Sequence, residues 1–369
     1  MADPRIEKLA QVMVEYSCSV RKGDRVVIQG STAAEPLLVE LYKKVILAGG
    51  HPFMMLSLPE TDGIFFRNAS DDQLQFVPKP TELIYETYDV RIALIAETNT
   101  KELSNIDPSR IVMQRRARAG LQKTFMRRSA AKELRWNVAA FPTNALAQDA
   151  EMSLSEYEDF VYGACLPDFD DPVGYWKNFS IRQEKICDWL KGKKQVHVKA
   201  PDTDLKLSVA GRIFENCDGH FNMPDGEVFT GPVEDSLEGH VHFSYPTIYG
   251  GREVTGVSLW FEKGKVVKAT ADKNEDFLLK TLDTDEGSRH IGEFAIGTNG
   301  GIKQFTREIL FDEKIGGSFH MALGSGYPET GSKNESAIHW DMICDLRDGG
   351  EIRVDNELLY KNGKFTIKF

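Results

Sequence analysis

The segment Gly23-Asp24-Arg25-Val26-Val27-Ile28-Gln29-Gly30-Ser31, followed by the apolar residues 36–48 and the pair Gly49-Gly50, decides the fold of the first half of the chain. Gly23-Asp24 turns into a short apolar run, which reads as a buried strand. Residues 36–48 carry the apolar spacing of a helix, with Pro36 at the start and glycines at the close. A strand, a turn and a helix in that order form the first part of a crossover unit.

The alternation continues outward. Residues 6–16 have helical spacing, residues 52–56, 90–96 and 137–141 read as strands, and residues 107–126 read as a helix. Strands alternating with helices need crossovers and so a mostly parallel sheet, which predicts an α/β N-terminal domain. Ser153-Leu154-Ser155-Glu156 has the spacing of a capping box and predicts a helix running through Tyr162, with another over residues 174–189. Lys191-Gly192-Lys193-Lys194 reads as the hinge, giving an N-terminal domain of residues 1–192 and a second of residues 193–369. Beyond the hinge the texture is strand-like at 196–198, 205–209, 241–243 and 254–261, with brief helical pattern at 274–282 and 303–310. The expectation there is a strand-rich α+β domain with a curled or barrel-like sheet. No internal repeat or low-complexity tract interrupts either half.

Composition narrows the function classes. With 41% hydrophobic and 27% charged residues the chain has an ordinary globular balance. No apolar run is long enough for a membrane span, and the N-terminus lacks the layout of a signal peptide, so a cytoplasmic location is expected. The formal charge of −11 disfavours nucleic acid and anionic membrane as partners. Five scattered cysteines without a CxxC pair argue against a disulfide framework or a thiolate zinc site. The basic stretch Arg115, Arg116, Arg118, Lys123, Arg127 and Arg128 reads as a helix face or an oligomer contact before an anion site.

Nucleotide-binding and serine-hydrolase motifs are absent, and Gly30-Ser31-Thr32 reads as a simple strand-to-helix turn. The chemistry concentrates between Glu227 and Asp341. Ile338-His339-Trp340-Asp341-Met342-Ile343 places an imidazole and a carboxylate two apart in an apolar strand, so both face the same side. A buried aspartate there needs a metal or an ion-pair partner. His320 lies in the glycine-bounded apolar run 316–324, and Glu293 is an acid inside the apolar run 292–297. Carboxylates and imidazoles without cysteine suit zinc, cobalt or manganese. His240-Val241-His242 repeats the alternate spacing and reads as structural or surface.

The segments 222–230, 292–297, 310–314, 320–327 and 334–341 resemble, in order and spacing, the M29 metallopeptidases of the aminopeptidase T and aminopeptidase S group. Looser likeness extends through residues 22–28 and 142–148, so the resemblance covers most of the chain. It implies removal of N-terminal residues from small peptides using two divalent ions per chain (Zn, Co or Mn). The implied ligands are Glu227, Glu293, Glu313, His320, His339 and Asp341, with Glu293 bridging and Tyr327 assisting catalysis. It also implies an α/β domain followed by a strand-rich catalytic domain, assembled as a homodimer. One departure is the longer interval between Glu313 and His320, which Ile315-Gly316-Gly317 must accommodate and which puts Glu313 in question. The general base stays open among Glu313, Glu253 and Glu335. Two other readings share these residues: a different dinuclear amidohydrolase or dipeptidase, and a peptide-binding relative without turnover.

Overall fold

The strand-turn-helix expected at residues 23–50 is present in the computed structural model, which describes residues 3–368. Strand Arg25–Ser31 buries Val26, Val27 and Ile28, and helix Glu35–Leu47 follows it. Ser31 caps the intervening turn by accepting from the Ala33 backbone N–H at 3.2 Å. The residues expected to form a simple turn do so.

The chain divides into two compact units. The first comprises residues 1–177 and 219–224, the second residues 178–218 and 225–369. The division therefore falls inside helix Pro172–Leu190, ahead of the expected hinge at residues 191–194. Hydrogen bonds on the helix explain why. Trp176 Nε1 donates to the Cys165 carbonyl within the first unit, whereas Gln183 Nε2 donates to Asn216 and to the Cys217 carbonyl within the second.

The first unit is α/β. Its sheet runs in the order His51–Ser57, Arg25–Ser31, Val90–Ile95, Arg135–Ala140, Asn222–Met223, and every pairing is parallel. Apolar runs such as Val26-Val27-Ile28 arise because crossover helices cover parallel strands. The helix expected at residues 107–126 is two helices, Pro108–Ala117 and Ala119–Ala130, that meet at Arg118. Gly120, a poor helix former, sits in the first turn of the second. Within the basic stretch Arg128 is structural: it is buried and donates to the Tyr85 and Glu133 carbonyls.

The second unit is strand-rich, but among the described residues its sheets do not close into a barrel. An eight-stranded sheet runs Lys265–Thr270, Ser258–Glu262, Glu238–His242, Thr203–Ser208, Gln195–Ala200, Glu351–Val354, Glu357–Lys361, Lys364–Phe365. A five-stranded sheet runs His339–Asp345, Ser318–Gly324, Ile291–Gly297, Glu227–Thr230, Glu215–Cys217. Both are open. Leu205, Val241, Leu259 and Phe261 from the larger sheet share one core with Phe294, Ile296, Met321 and Trp340 from the smaller. Each sheet thus buries a face against the other instead of curling on itself. The helix expected at 274–282 is present as Glu275–Leu282, whereas 303–310 yields only Ile309–Asp312. The preceding residues are held as a loop, because the buried Asp312 carboxylate accepts from the Thr306 N–H and hydroxyl at 2.7 and 2.9 Å. No helix among the described residues is long and apolar enough to cross a membrane.

Candidate metal centre

Strand parity sorts the five-stranded sheet into two unlike faces. Val228, Phe294, Ile296, Phe319, Met321, Leu323, Trp340 and Met342 enter the apolar core. The intervening residues point the other way. Directly opposed residues of an antiparallel pair share a face, and the register aligns Glu227 with Gly297, His320 with Ala295, Ala322 with both Glu293 and Asp341, and His339 with Gly324. Glu227, Glu293, His320, His339 and Asp341 therefore converge on one face. The residues between them, Ala295, Gly297, Ala322 and Gly324, are small; a Cβ on Gly297 would lie 2.2 Å from the Ile315 carbonyl oxygen, and one on Gly324 2.2 Å from that of Ile338, so backbone packs closely there.

A β-bulge at Gly292 makes this possible, because the register shifts between Ile291 and Glu293. Ile291 stays in the core while Glu293 faces the cluster. A Cβ on Gly292 would lie 2.3 Å from the Ser325 carbonyl oxygen and 2.4 Å from that of Gly324, so the bulge requires glycine.

Glu293 lies between the two imidazoles. Its Oε1 is 3.6 Å from His320 Nε2, and its Oε2 is 3.4 Å from His339 Nε2. On the outer sides, His320 Nε2 is 3.3 Å from Glu227 Oε2 and His339 Nε2 is 3.6 Å from Asp341 Oδ1. His339 Nδ1 donates to the Ser325 carbonyl at 2.8 Å, which turns Nε2 toward the carboxylates. Glu313, just past helix Ile309–Asp312, completes a third set with His320 and Asp341. The turn through Gly316 and Gly317, the latter at φ +106°, leads from Glu313 into the His320 strand.

The donors form three overlapping groups, Glu227–Glu293–His320, Glu293–His339–Asp341 and Glu313–His320–Asp341, each with ligand atoms within 4.8 Å of one another. Glu227 Oε2, His320 Nδ1 and Asp341 Oδ1 are buried without a hydrogen-bond partner among the described residues. Unsatisfied buried polar atoms are costly. Two carboxylate oxygens left this way, amid oxygen and imidazole donors, fit divalent cations.

The electrostatics reflect the crowding. Burial, followed by Glu313 and Glu293 and against the pull of Lys314, raises Glu227 to about 8. Burial likewise lifts Asp341 to about 6. It acts in the same sense on Glu293, but the contacts with His320 and His339 outweigh it and hold that carboxyl down at about 2. Burial alone would lower both imidazoles; the surrounding carboxylates prevail, raising His320 to about 9 and His339 to about 10.

Tyr327 stands beside the cluster, its ring edge-on to Phe229 at 5.2 Å and to His339 at 5.3 Å between centroids. Burial first, and then the nearby carboxylates, push its phenol far above the ordinary range. The other two candidate bases stand elsewhere. Glu253 is paired with Lys273 and Arg307, and Glu335 is exposed. His240 stacks on Trp260 and His242 Nδ1 meets the Ser258 hydroxyl, so that pair plays no part in the cluster.

Sequence reasoning missed Lys314. It is fully buried, hydrogen-bonds Glu313 Oε1, and lies 4.0 Å from Glu227 Oε1. Burial acts to lower its pKa, but Glu313, Glu227 and Asp225 more than offset this and keep it an ammonium. The only signal was its place directly after Glu313 in a segment that already carried the resemblance.

Residues 2–365 match the family described as thermophilic metalloprotease (M29). The chain belongs to the M29 metallopeptidase family. It is accordingly a peptide hydrolase of a metal-dependent class. Among M29 relatives it is 27% identical to aminopeptidase AmpS of Bacillus subtilis, with 98% of each chain covered. It is 26% identical to aminopeptidase 2 of Geobacillus stearothermophilus, covering 99% of this chain and 98% of that one. The solved structure of wild-type AmpT from Thermus thermophilus has the same fold, with a TM-score of 0.87, 22% identity, and 98% and 99% of the two chains covered. The M29 assignment agrees with an α/β unit and a strand-rich unit that gathers acids and imidazoles on one sheet.

Proposed function

We propose that this protein is an aminopeptidase that holds two divalent ions on the polar face of the five-stranded sheet. One position is made by Glu227, Glu293 and His320, the other by Glu293, His339 and Asp341, with Glu313 adding a donor beside His320 and Asp341. The observation that carries this reading is Glu293, whose two oxygens face different histidines and so suit a bridging carboxylate. Oxygen and imidazole donors of this kind suit zinc, cobalt or manganese. When bound, such ions polarise the scissile carbonyl and acidify water toward neutral pH.

The protein's own groups do the rest. Tyr327, held between Phe229 and His339, donates a hydrogen bond to the oxyanion of the tetrahedral state. Of the three candidate bases only Glu313 stands in the cluster, where Lys314 holds its Oε1 and its carboxylate serves as a donor beside His320 and Asp341. Restriction to the N-terminal residue is supported by the aminopeptidase relatives. The reading includes a cytoplasmic homodimer. Exposed Val39, Tyr42, Ile46 and Leu47 on helix Glu35–Leu47, with Phe53 and Leu56 on the adjacent edge strand, are apolar surface that a second copy can cover.

The test is to strip the protein with chelator and follow leucine p-nitroanilide hydrolysis as Co²⁺, Zn²⁺ or Mn²⁺ is returned. Activity should recover with metal and be absent on the N-acetylated substrate. Hydrolysis of the blocked substrate would make the protein a different dinuclear amidohydrolase, and silence across metals and residue types would remove the catalytic reading.

A further inference from the structure

A fourth donor set borders the cluster. Cys217, Asp225 and Glu227 place their ligand atoms within 4.8 Å of one another, and Cys217 lies opposite Glu227 in register, on the same face of the sheet. Asp225 and Glu227 are both buried; Glu227 turns Oε2 toward His320 at 3.3 Å and Oε1 toward Lys314. A thiol with two carboxylates is a donor set that zinc, cobalt or cadmium accepts. An ion there would compete with the dinuclear cluster for Glu227.

Lys314 stands at this junction. Its ammonium has no exposure, hydrogen-bonds Glu313, and lies 4.0 Å from Glu227 Oε1. A buried ammonium is unfavourable unless it is paired, so simple packing does not account for a lysine here. Lys314 approaches Glu227 through Oε1, whereas Oε2 faces His320, so the ammonium takes the oxygen left over by the dinuclear cluster and repels a further cation brought to it in a buried setting.

We propose that Lys314 is a built-in cation, a positioning residue that holds Glu227 and Glu313 toward the dinuclear cluster and excludes a third divalent ion from the Cys217–Asp225–Glu227 set. The inference rests on the two-ion reading above. It assigns the chain an internal limit on metal stoichiometry and a reason for placing a thiol beside a carboxylate and imidazole centre without using it as a ligand.

The experiment is a Co²⁺ titration of the metal-stripped full chain, counting bound ions by equilibrium dialysis and recording near-ultraviolet absorption for thiolate-to-cobalt charge transfer. The wild type should bind two ions per chain without a thiolate band. Lys314→Met should bind a third ion and show the band, which should vanish when Cys217→Ser is added. Lys314→Met binding two ions or fewer, with no band, overturns the proposal. Should that variant fail to fold, the nearly isosteric Asp225→Asn decides the matter. With Lys314 in place it should bind two ions with unchanged affinity, whereas loss or weakening of an ion would make Asp225 a working ligand and overturn the proposal. A wild type that binds one ion or none defeats the two-ion reading itself, and this inference with it.

Discussion

At the scale of single residues, the site depends on side chains whose surroundings leave them few alternatives. Tyr327 is wedged between Phe229 and His339 and so has its ring position set by aromatic contact. Tyr327→Phe keeps those contacts and removes only the donor. It should lower kcat by about 10²–10³-fold, the usual loss for one oxyanion donor, with KM and the circular dichroism spectrum little changed. An unchanged kcat would confine Tyr327 to packing. Much of the candidate site was legible at this scale. His339 and Asp341 are two apart in an apolar run, and a period of two sends both to one face. Lys314 was not legible, because a lysine after a glutamate in sequence looks the same whether the pair is solvated or buried. Cys217 was passed over for a similar reason: a lone cysteine carries no ligand spacing of its own.

At the scale of elements, success followed local signals and failure followed their absence. Ser153 and Glu156 form the capping box expected of them, and the helix they start runs Leu154–Cys165. The short strand Asn222–Met223, which adds to the parallel sheet of the first unit, has too few residues to show any period. Residues 303–310 look helical, yet Asp312 draws Thr306 into a loop by accepting two hydrogen bonds. The bulge at Gly292 is the element on which the centre most depends, because it lets Glu293 face the cluster while Ile291 remains in the core. Gly292→Ala forces a methyl against the Ser325 and Gly324 carbonyls. It should cost about 1–3 kcal/mol, in the range of overpacked interiors, and weaken metal binding as well. Urea denaturation and a metal titration check the two effects separately. Full stability together with full affinity would mean that the bulge relaxes freely.

At the scale of the whole molecule, metal and folding are linked. The buried carboxylate oxygens of Glu227 and Asp341 lack hydrogen-bond partners among the described residues, so an ion that satisfies them binds the folded state and leaves the unfolded chain behind. One ion at a hundred times its dissociation constant adds about 2.7 kcal/mol. Excess chelator should therefore lower the melting temperature by several degrees, and returning Zn²⁺, Co²⁺ or Mn²⁺ should restore it. A melting temperature indifferent to both would show that the donor set does not hold metal in solution.

The alternation of strands and helices in the first half, the strand-rich texture of the second, and the acids and imidazoles in apolar strands are local patterns, which is why the sequence alone determined them. Neighbouring residues set the period, the cap and the turn. The register that brings Glu227, Glu293, His320, His339 and Asp341 onto one face joins strands far apart in the chain. So do the division within helix Pro172–Leu190 and the burial of Lys314 among three carboxylates. Those features were decided by the tertiary structure, because they depend on which distant segments pair and on what the shared core leaves uncovered.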